Sequence, residues 1–213
     1  MKKITLRDLP FDPTNEGDFV QQALDFLCDN GFSISLVNKK SVDGSAGYMS
    51  KDRKKVVVAT GQGDWLSVFI HEVCHVIQSI YETEWWNKYW NNDMNIFEPS
   101  TYENEDEDTI RDFFFTTMKM EEECDKIALA IIDDFYMDPR FLDREEYVQA
   151  SNCYHASHYY FWSRRCFYDP KHTPYKHPEL LQLFSNERIT RSRYKFRPRP
   201  VMDEFFDKYS VPL

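Results

Sequence analysis

The chain has 213 residues with a formal net charge of -10, and 42% of its residues are hydrophobic. This length and apolar content suffice for a substantial core and exclude an intrinsically disordered chain. The negative charge disfavours general binding to nucleic acid or to anionic membranes, because both carry negative phosphates. The sequence has no membrane-length apolar run and no signal-peptide core at its N-terminus. We therefore expect a cytoplasmic protein.

The first predicted elements are a helix and three short strands. Residues 18–30 have apolar side chains at helical spacing, and Gly31 supplies a C-terminal cap. Strands are predicted at 33–37, which alternates polar and apolar side chains, at 46–50, and at 56–59, a short β-branched run. This order predicts a small sheet that precedes the next helix.

The most informative motif follows these strands, where His71, Glu72 and His75 form the pattern HExxH. Residues 64–82 are predicted to be a helix, because apolar residues recur at helical spacing and Asp64 is a suitable N-cap. In a helix, residues i and i+4 lie on one face, so both imidazoles point at one ion. The glutamate beside them can accept a proton from a water that the metal polarises and deliver it to a leaving amine. The motif therefore indicates hydrolysis at a zinc site.

An aromatic segment and an acidic segment follow the motif. Three tryptophans occur within six residues, at Trp85, Trp86 and Trp90. Either they pack against the end of the metal helix, or they line a pocket for apolar side chains of a substrate. Residues 98–108 are then predicted to be an acidic loop.

A second long helix, predicted over residues 108–137, supplies a candidate for the third metal ligand. Glu121 and Asp125 interrupt its apolar stripe. Glu122 and Glu123 lie on faces without the surroundings of a buried ligand, so Glu121 is the better candidate. Asp125, one turn further on, can orient a ligand histidine. The alternative is that this acidic run is a solvated helix face.

These two motifs resemble those of the gluzincins, the thermolysin-like branch of the zincin metallopeptidases. That branch is marked by HExxH on one helix and by ExxxD on a following helix. Here the motifs are residues 71–75 and residues 121–125, in the same order. The resemblance covers residues 56–132.

The resemblance implies a role for each matched residue. His71, His75 and Glu121 would bind one Zn²⁺ per chain. Glu72 would be the general base, and Asp125 would orient a histidine ligand.

The resemblance also implies an α+β fold, similar to the compact regulatory zincins of bacteria and phages. This minimal zincin-like domain would have an N-terminal helix, a small three-stranded sheet, a metal-binding helix and a largely helical C-terminal half. A peptide substrate would lie along an edge strand of the sheet. We expect Val56 to Thr60 to be that edge strand, pairing with the peptide by strand addition.

A further helix, predicted over residues 144–168, is rich in aromatic residues and carries two histidines one turn apart. Gluzincins use a His, Tyr or Arg from later in the chain to stabilise the oxyanion of the tetrahedral intermediate. His155 or His158 can serve as this catalytic donor. The alternative is that both are half-buried polar residues on an aromatic packing face.

The C-terminal segment differs in charge from the rest of the chain, because Arg188 to Arg199 contain six basic residues. We assign residues 1–187 to a single zincin-like metallopeptidase domain and residues 188–213 to a basic, proline-containing C-terminal arm. The arm either docks on the acidic loop, binds an acidic partner or nucleic acid, or is a solvated segment. We expect no other nucleic-acid partner.

The sequence thus predicts a zinc-dependent peptidase that acts on a protein or peptide substrate. The alternatives are a catalytically silent zinc-binding scaffold and a regulatory interaction protein. The five cysteines are scattered and never spaced as CxxC, which favours a reducing compartment over a disulfide framework. Cys74 and Cys124 flank the predicted ligands, where they either pack or respond to oxidation.

Overall fold

The computed structural model describes residues 9–12, 18–91, 105–135, 137, 142–169, 171–189 and 200–212. Its helices are α1 (Phe19–Asp29), α2 (Trp65–Tyr81), α3 (Glu84–Trp90), α4 (Glu107–Asp134), α5 (Arg144–Arg164), α6 (Pro178–Leu181) and α7 (Pro200–Tyr209), with a 3-10 helix at Pro174–Lys176. Its strands are β1 (Ser33–Val37), β2 (Gly47–Ser50), β3 (Lys55–Ala59), β4 (Cys166–Tyr168) and β5 (Ser210–Pro212). The fold is α+β with a small three-stranded sheet and a largely helical C-terminal half, as the sequence predicted.

The chain divides into two compact units. The first consists of Met1–Trp86 and Cys124–Arg144, and the second of Asn87–Glu123 and Glu145–Leu213. The division falls inside α4, so residues of one long helix are shared between the two units.

The sheet of the first unit has the strand order β1-β3-β2. Strand β1 is parallel to β3, with Ser33 opposite Lys55, and β2 is antiparallel to β3. The expectation that Val56 to Thr60 form the substrate-side edge strand was therefore wrong, because β3 is the central strand. A continuous apolar run is typical of a strand covered on both faces, and residues 56–59 are each at most 2% exposed. The two edges of the sheet are β1 and β2.

Helix α1 has the ends that the sequence predicted. The Asp18 side chain accepts a hydrogen bond from the Val20 amide at the N-terminus. At the C-terminus Gly31 has φ of 75°, in the left-handed region that glycine tolerates. The amides of Gly31 and Phe32 donate to the carbonyl oxygens of Cys28 and Leu27, respectively. These two bonds are a Schellman motif, which turns the chain into β1.

Helix α2 packs closely against the edge strand β2. A Cβ atom on Gly47 would lie 2.6 Å from Val68 Cγ1, 2.9 Å from the Val57 carbonyl oxygen and 3.5 Å from Glu72 Cγ. The absence of a side chain at Gly47 therefore allows the helix that carries HExxH to approach the strand. The N-cap of α2 is Asp64, as predicted, although its side chain makes no capping hydrogen bond.

The core of the second unit is aromatic. Tyr160 of α5 and Phe206 of α7 are stacked, with ring centroids 4.6 Å apart and planes 6° apart. The Arg164 guanidinium bonds to the carboxylates of Asp203, at 2.6 Å, and Asp207. These contacts join α7 to α5 within this unit.

The predicted C-terminal arm includes part of this core. Its basic residues 190–199 lie outside the described residues, as does most of the acidic loop. The last part of the segment forms α7, which buries Met202 and Phe206, and β5, which pairs with β4. The sequence did not predict these two elements. Across the described residues, none of the helices combines the length and apolarity that a membrane crossing needs.

Candidate metal centre

The two histidines of the HExxH motif face each other in the first unit. They occupy adjacent turns of α2, and the ring planes are almost perpendicular, at 89°. The Nε2 atoms of His71 and His75 are 3.1 Å apart. His75 is buried, whereas 22% of the His71 side chain is exposed. The helical spacing therefore brings the two imidazoles together as the sequence predicted.

Each histidine is held at its other ring nitrogen by an oxygen atom. His71 Nδ1 lies 2.9 Å from Asp125 Oδ1, and His75 Nδ1 lies 2.9 Å from Gln78 Oε1. A carboxylate oxygen and an amide oxygen are both acceptors, so each Nδ1 carries the hydrogen. In the neutral rings, the lone pairs are consequently at the two Nε2 atoms.

This arrangement fits a shared cation. Two lone pairs that face each other at 3.1 Å repel, unless a positive species lies between them. Zn–N bonds of about 2.0–2.1 Å at a tetrahedral angle place two nitrogens roughly 3.3 Å apart. The observed separation is close to that value, so the donor set fits Zn²⁺. A shared proton is the other cation that can bridge the two atoms, and it would leave the pair positively charged.

Cys124 is the third ligand-type residue of this cluster. Among the described residues, the donor atoms of His71, His75 and Cys124 lie within 4.8 Å of one another. The Cys124 thiol donates to the His71 carbonyl oxygen at 3.3 Å, and its sulfur is 3.7 Å from His71 Nδ1. A tetrahedral zinc site would place the sulfur about 3.6 Å from both Nε2 atoms. As a ligand, Cys124 would be a thiolate and would lose the hydrogen that it donates to the carbonyl oxygen.

Glu72 lies between the two histidines in sequence and is 7% exposed. Its Cγ atom faces Gly47 of β2, at the close approach of helix and strand described above. A carboxylate is a group that can accept and return a proton in catalysis. Its catalytic role stays a prediction.

Glu121 is buried, at 7% exposed, and lies one helical turn before Asp125 on α4. Burial raises the pKa of Tyr89, and the negative charge of Glu121 raises it further. The predicted role of Glu121 as a zinc ligand stays a prediction. The expectation that Glu122 lacks buried surroundings was wrong, because it is 3% exposed. Lys119, three residues earlier, bonds to its carboxylate at 2.7 Å and offsets the cost of burial.

His155 and His158 lie on α5, in the second unit, and both are buried. His158 Nδ1 donates to the Tyr154 carbonyl oxygen at 3.1 Å, and the Tyr154 ring meets the His158 ring edge-on. This environment has the features of the aromatic packing face that the sequence left open. Their predicted part in oxyanion stabilisation stays a prediction.

Trp86 lies beyond the end of α2 and is 2% exposed. Its ring centroid lies 6.0 Å from that of His75, with the planes tilted by 37°. Trp86 is thus packed against His75, whereas Trp90 is 39% exposed. Cys74, also on α2, is fully buried.

Sequence reasoning missed Gln78. It is fully buried and occupies position i+3 from His75, which places it on the metal-facing side of α2. A side chain with an amide oxygen three positions after a predicted ligand histidine is the signal that could have found it.

No protein-family model, curated protein or solved structure matches this chain.

Proposed function

We propose that the protein is a zinc-dependent peptidase. The observation that carries the proposal is the pair of Nε2 atoms 3.1 Å apart, each on a ring whose Nδ1 is bonded to an acceptor. Two imidazoles fixed in this tautomer are prepared for one metal ion. The resemblance of the two motifs to gluzincins supports the peptidase activity.

The residues divide the chemistry between them. His71 and His75 would hold the ion, with Glu121 as the predicted third ligand. Zinc, when bound, would supply a Lewis acid that polarises the peptide carbonyl and acidifies a water molecule. Glu72 accepts a proton as the water oxygen attacks the carbonyl carbon. It then returns the proton to the leaving nitrogen as the C–N bond breaks.

The proposal includes a position for the substrate at one edge of the sheet. Because β3 is central, we assign the extended peptide to β2, the edge strand whose Gly47 lies against Glu72. Strand addition there would bring the peptide backbone next to the general base. A peptide-like inhibitor should protect the amides of β2 from hydrogen exchange, while those of β1, at the opposite edge, stay unchanged. Equal protection of both edges, or of neither, would contradict this placement.

The test of the reaction is the substitution Glu72→Gln. It removes the proton acceptor but keeps the shape of the side chain, so zinc content should equal that of wild type. Turnover of a peptide library should fall by about 10²- to 10⁴-fold, the usual contribution of a general base. Glu107→Gln is the matched control, because Glu107 is exposed at the start of α4. Activity that survives in Glu72→Gln would refute the assigned role.

A second candidate function is a zinc-binding protein without catalysis. The observation that favours it is the position of Cys124 near the two histidines, since structural zinc sites are built from Cys and His ligands. Such a protein would bind zinc and cleave nothing.

The two candidates differ in their third ligand. Glu121→Gln should weaken zinc binding in the peptidase, whereas Cys124→Ser should weaken it in the structural site. Zinc affinity measured by competition with a chromogenic chelator distinguishes them. Wild-type protein that fails to bind zinc would refute both.

A further inference from the structure

We infer that Gln78 is a positioning residue of the zinc site, which holds His75 in the tautomer whose lone pair is on Nε2, the atom that would bind the metal. The inference rests on the proposed zinc site but concerns a residue that neither motif contains. The carboxylate of Asp125 accepts a hydrogen bond from His71 Nδ1. The neutral amide of Gln78 does the same for His75 Nδ1.

The geometry follows from the helix. Cα–Cβ bonds tilt towards the N-terminus, so the side chain at position i+3 leans back over the preceding turn. Gln78 thereby reaches His75, with its Oε1 atom 2.9 Å from Nδ1. An amide oxygen only accepts, so this contact fixes the hydrogen on Nδ1.

The backbone of Gln78 is anchored as well. Its carbonyl oxygen accepts hydrogen bonds from the amides of Glu82 and Thr83, where α2 ends. Glu82 has φ of 49°, the left-handed conformation that stops the helix. The acceptor for His75 is thus attached to a fixed helix end.

His75 is confined on its other sides by rings. Trp86 lies over it and His71 meets it edge-on, with ring centroids 4.7 Å apart. The ring is therefore held in place by packing, but packing does not choose the tautomer. That choice is made by Gln78, because Nδ1 is the nitrogen that faces its amide oxygen.

A positioning role and a packing role predict opposite orders for two variants. Gln78→Met keeps the length and flexibility of the side chain but removes the acceptor. Gln78→Glu keeps an acceptor but places a charge in a fully buried position. If Gln78 only fills space, Q78M should resemble wild type and Q78E should be worse. If it positions His75, Q78E should bind zinc at least as tightly as wild type. Q78M should then bind zinc about 10- to 100-fold more weakly than wild type.

The experiment measures zinc affinity of the full-length protein by chelator competition, with no peptide present. Co²⁺ is used in parallel, because its visible absorption spectrum reports ligand geometry, and Q78M should change this spectrum while Q78E preserves it. Gln149→Met is the matched control, since Gln149 is a half-buried helical glutamine that bonds to the Phe184 carbonyl oxygen in the second unit. Gln149→Met should bind zinc as tightly as wild type.

The outcomes separate this inference from the proposed function. Zinc binding by wild type together with unchanged affinity in Q78M would overturn the role of Gln78 alone. A wild type that binds no zinc would overturn the proposed function and this inference with it. If Q78M does not fold, Q78E decides: tenfold weaker binding in a folded protein, judged by circular dichroism, would overturn the inference.

Discussion

Replacing Asp125 by Asn tests how the charge behind His71 contributes to the metal site. Asp125 is 2% exposed and its Oδ1 atom lies 2.9 Å from His71 Nδ1. Asparagine has nearly the same shape and keeps an acceptor oxygen, so the hydrogen bond survives while the negative charge is lost. The change therefore isolates the electrostatic part of the contact.

The expected magnitude follows from the difference between charged and neutral hydrogen bonds. A bond to a charged acceptor is worth about 1.5–3 kcal/mol and a neutral one about 0.5–1.5 kcal/mol. The difference, about 1–1.5 kcal/mol, corresponds to roughly 5- to 15-fold weaker zinc binding. Asp125→Ala removes the acceptor oxygen as well as the charge, so it should weaken zinc binding by up to about 100-fold.

The assay is chelator competition at fixed pH, with thermal unfolding in the presence of a chelator to measure the metal-free protein separately. Asp134→Asn is the control, because Asp134 is exposed at the end of the same helix. Zinc affinity in Asp125→Asn equal to that of wild type would show that the contact does not tune His71.

Two further predictions concern the stability of each unit. Gly47→Ala should destabilise the protein by about 1–3 kcal/mol, because its Cβ would press on Val68 and on the Val57 carbonyl oxygen. Urea unfolding measures this change. Gly63→Ala is the control that should be nearly neutral, because a Cβ atom there would meet nothing within 4 Å apart from its chain neighbours. In the second unit, burial raises the pKa of Tyr168, with its Tyr175 hydrogen bond opposing the shift. Above the ordinary pKa of 10.0 the unfolded chain loses this proton while the folded protein keeps it, so stability falls as pH rises. In Tyr168→Phe, the free energy of unfolding should decrease less with pH, as measured by urea unfolding between neutral pH and pH 11. An unchanged pH dependence would argue against the raised pKa of Tyr168.

The sequence by itself determined the local elements and the pairing of the two histidines. Apolar spacing fixes α1, α2 and α4 to within a few residues, because helical periodicity is a local property. The i, i+4 spacing of His71 and His75 brings their rings together in any regular helix. The Asp125 contact could be predicted only through the ExxxD resemblance, since it joins residues 54 positions apart.

Tertiary structure decided what depends on neighbours distant in sequence. Strand order made β3 central and β2 the edge beside Glu72, because pairing joins backbones irrespective of chain order. The burial of Glu122 depends on the parts of the chain that pack around its helix, which helical periodicity does not report. The packing of α7 into an aromatic core also depends on a residue distant in sequence. Phe206 stacks on Tyr160, which lies 46 positions earlier. Local patterns thus specify which groups can act, whereas long-range packing determines which groups meet and which oxygen atoms hold each ring.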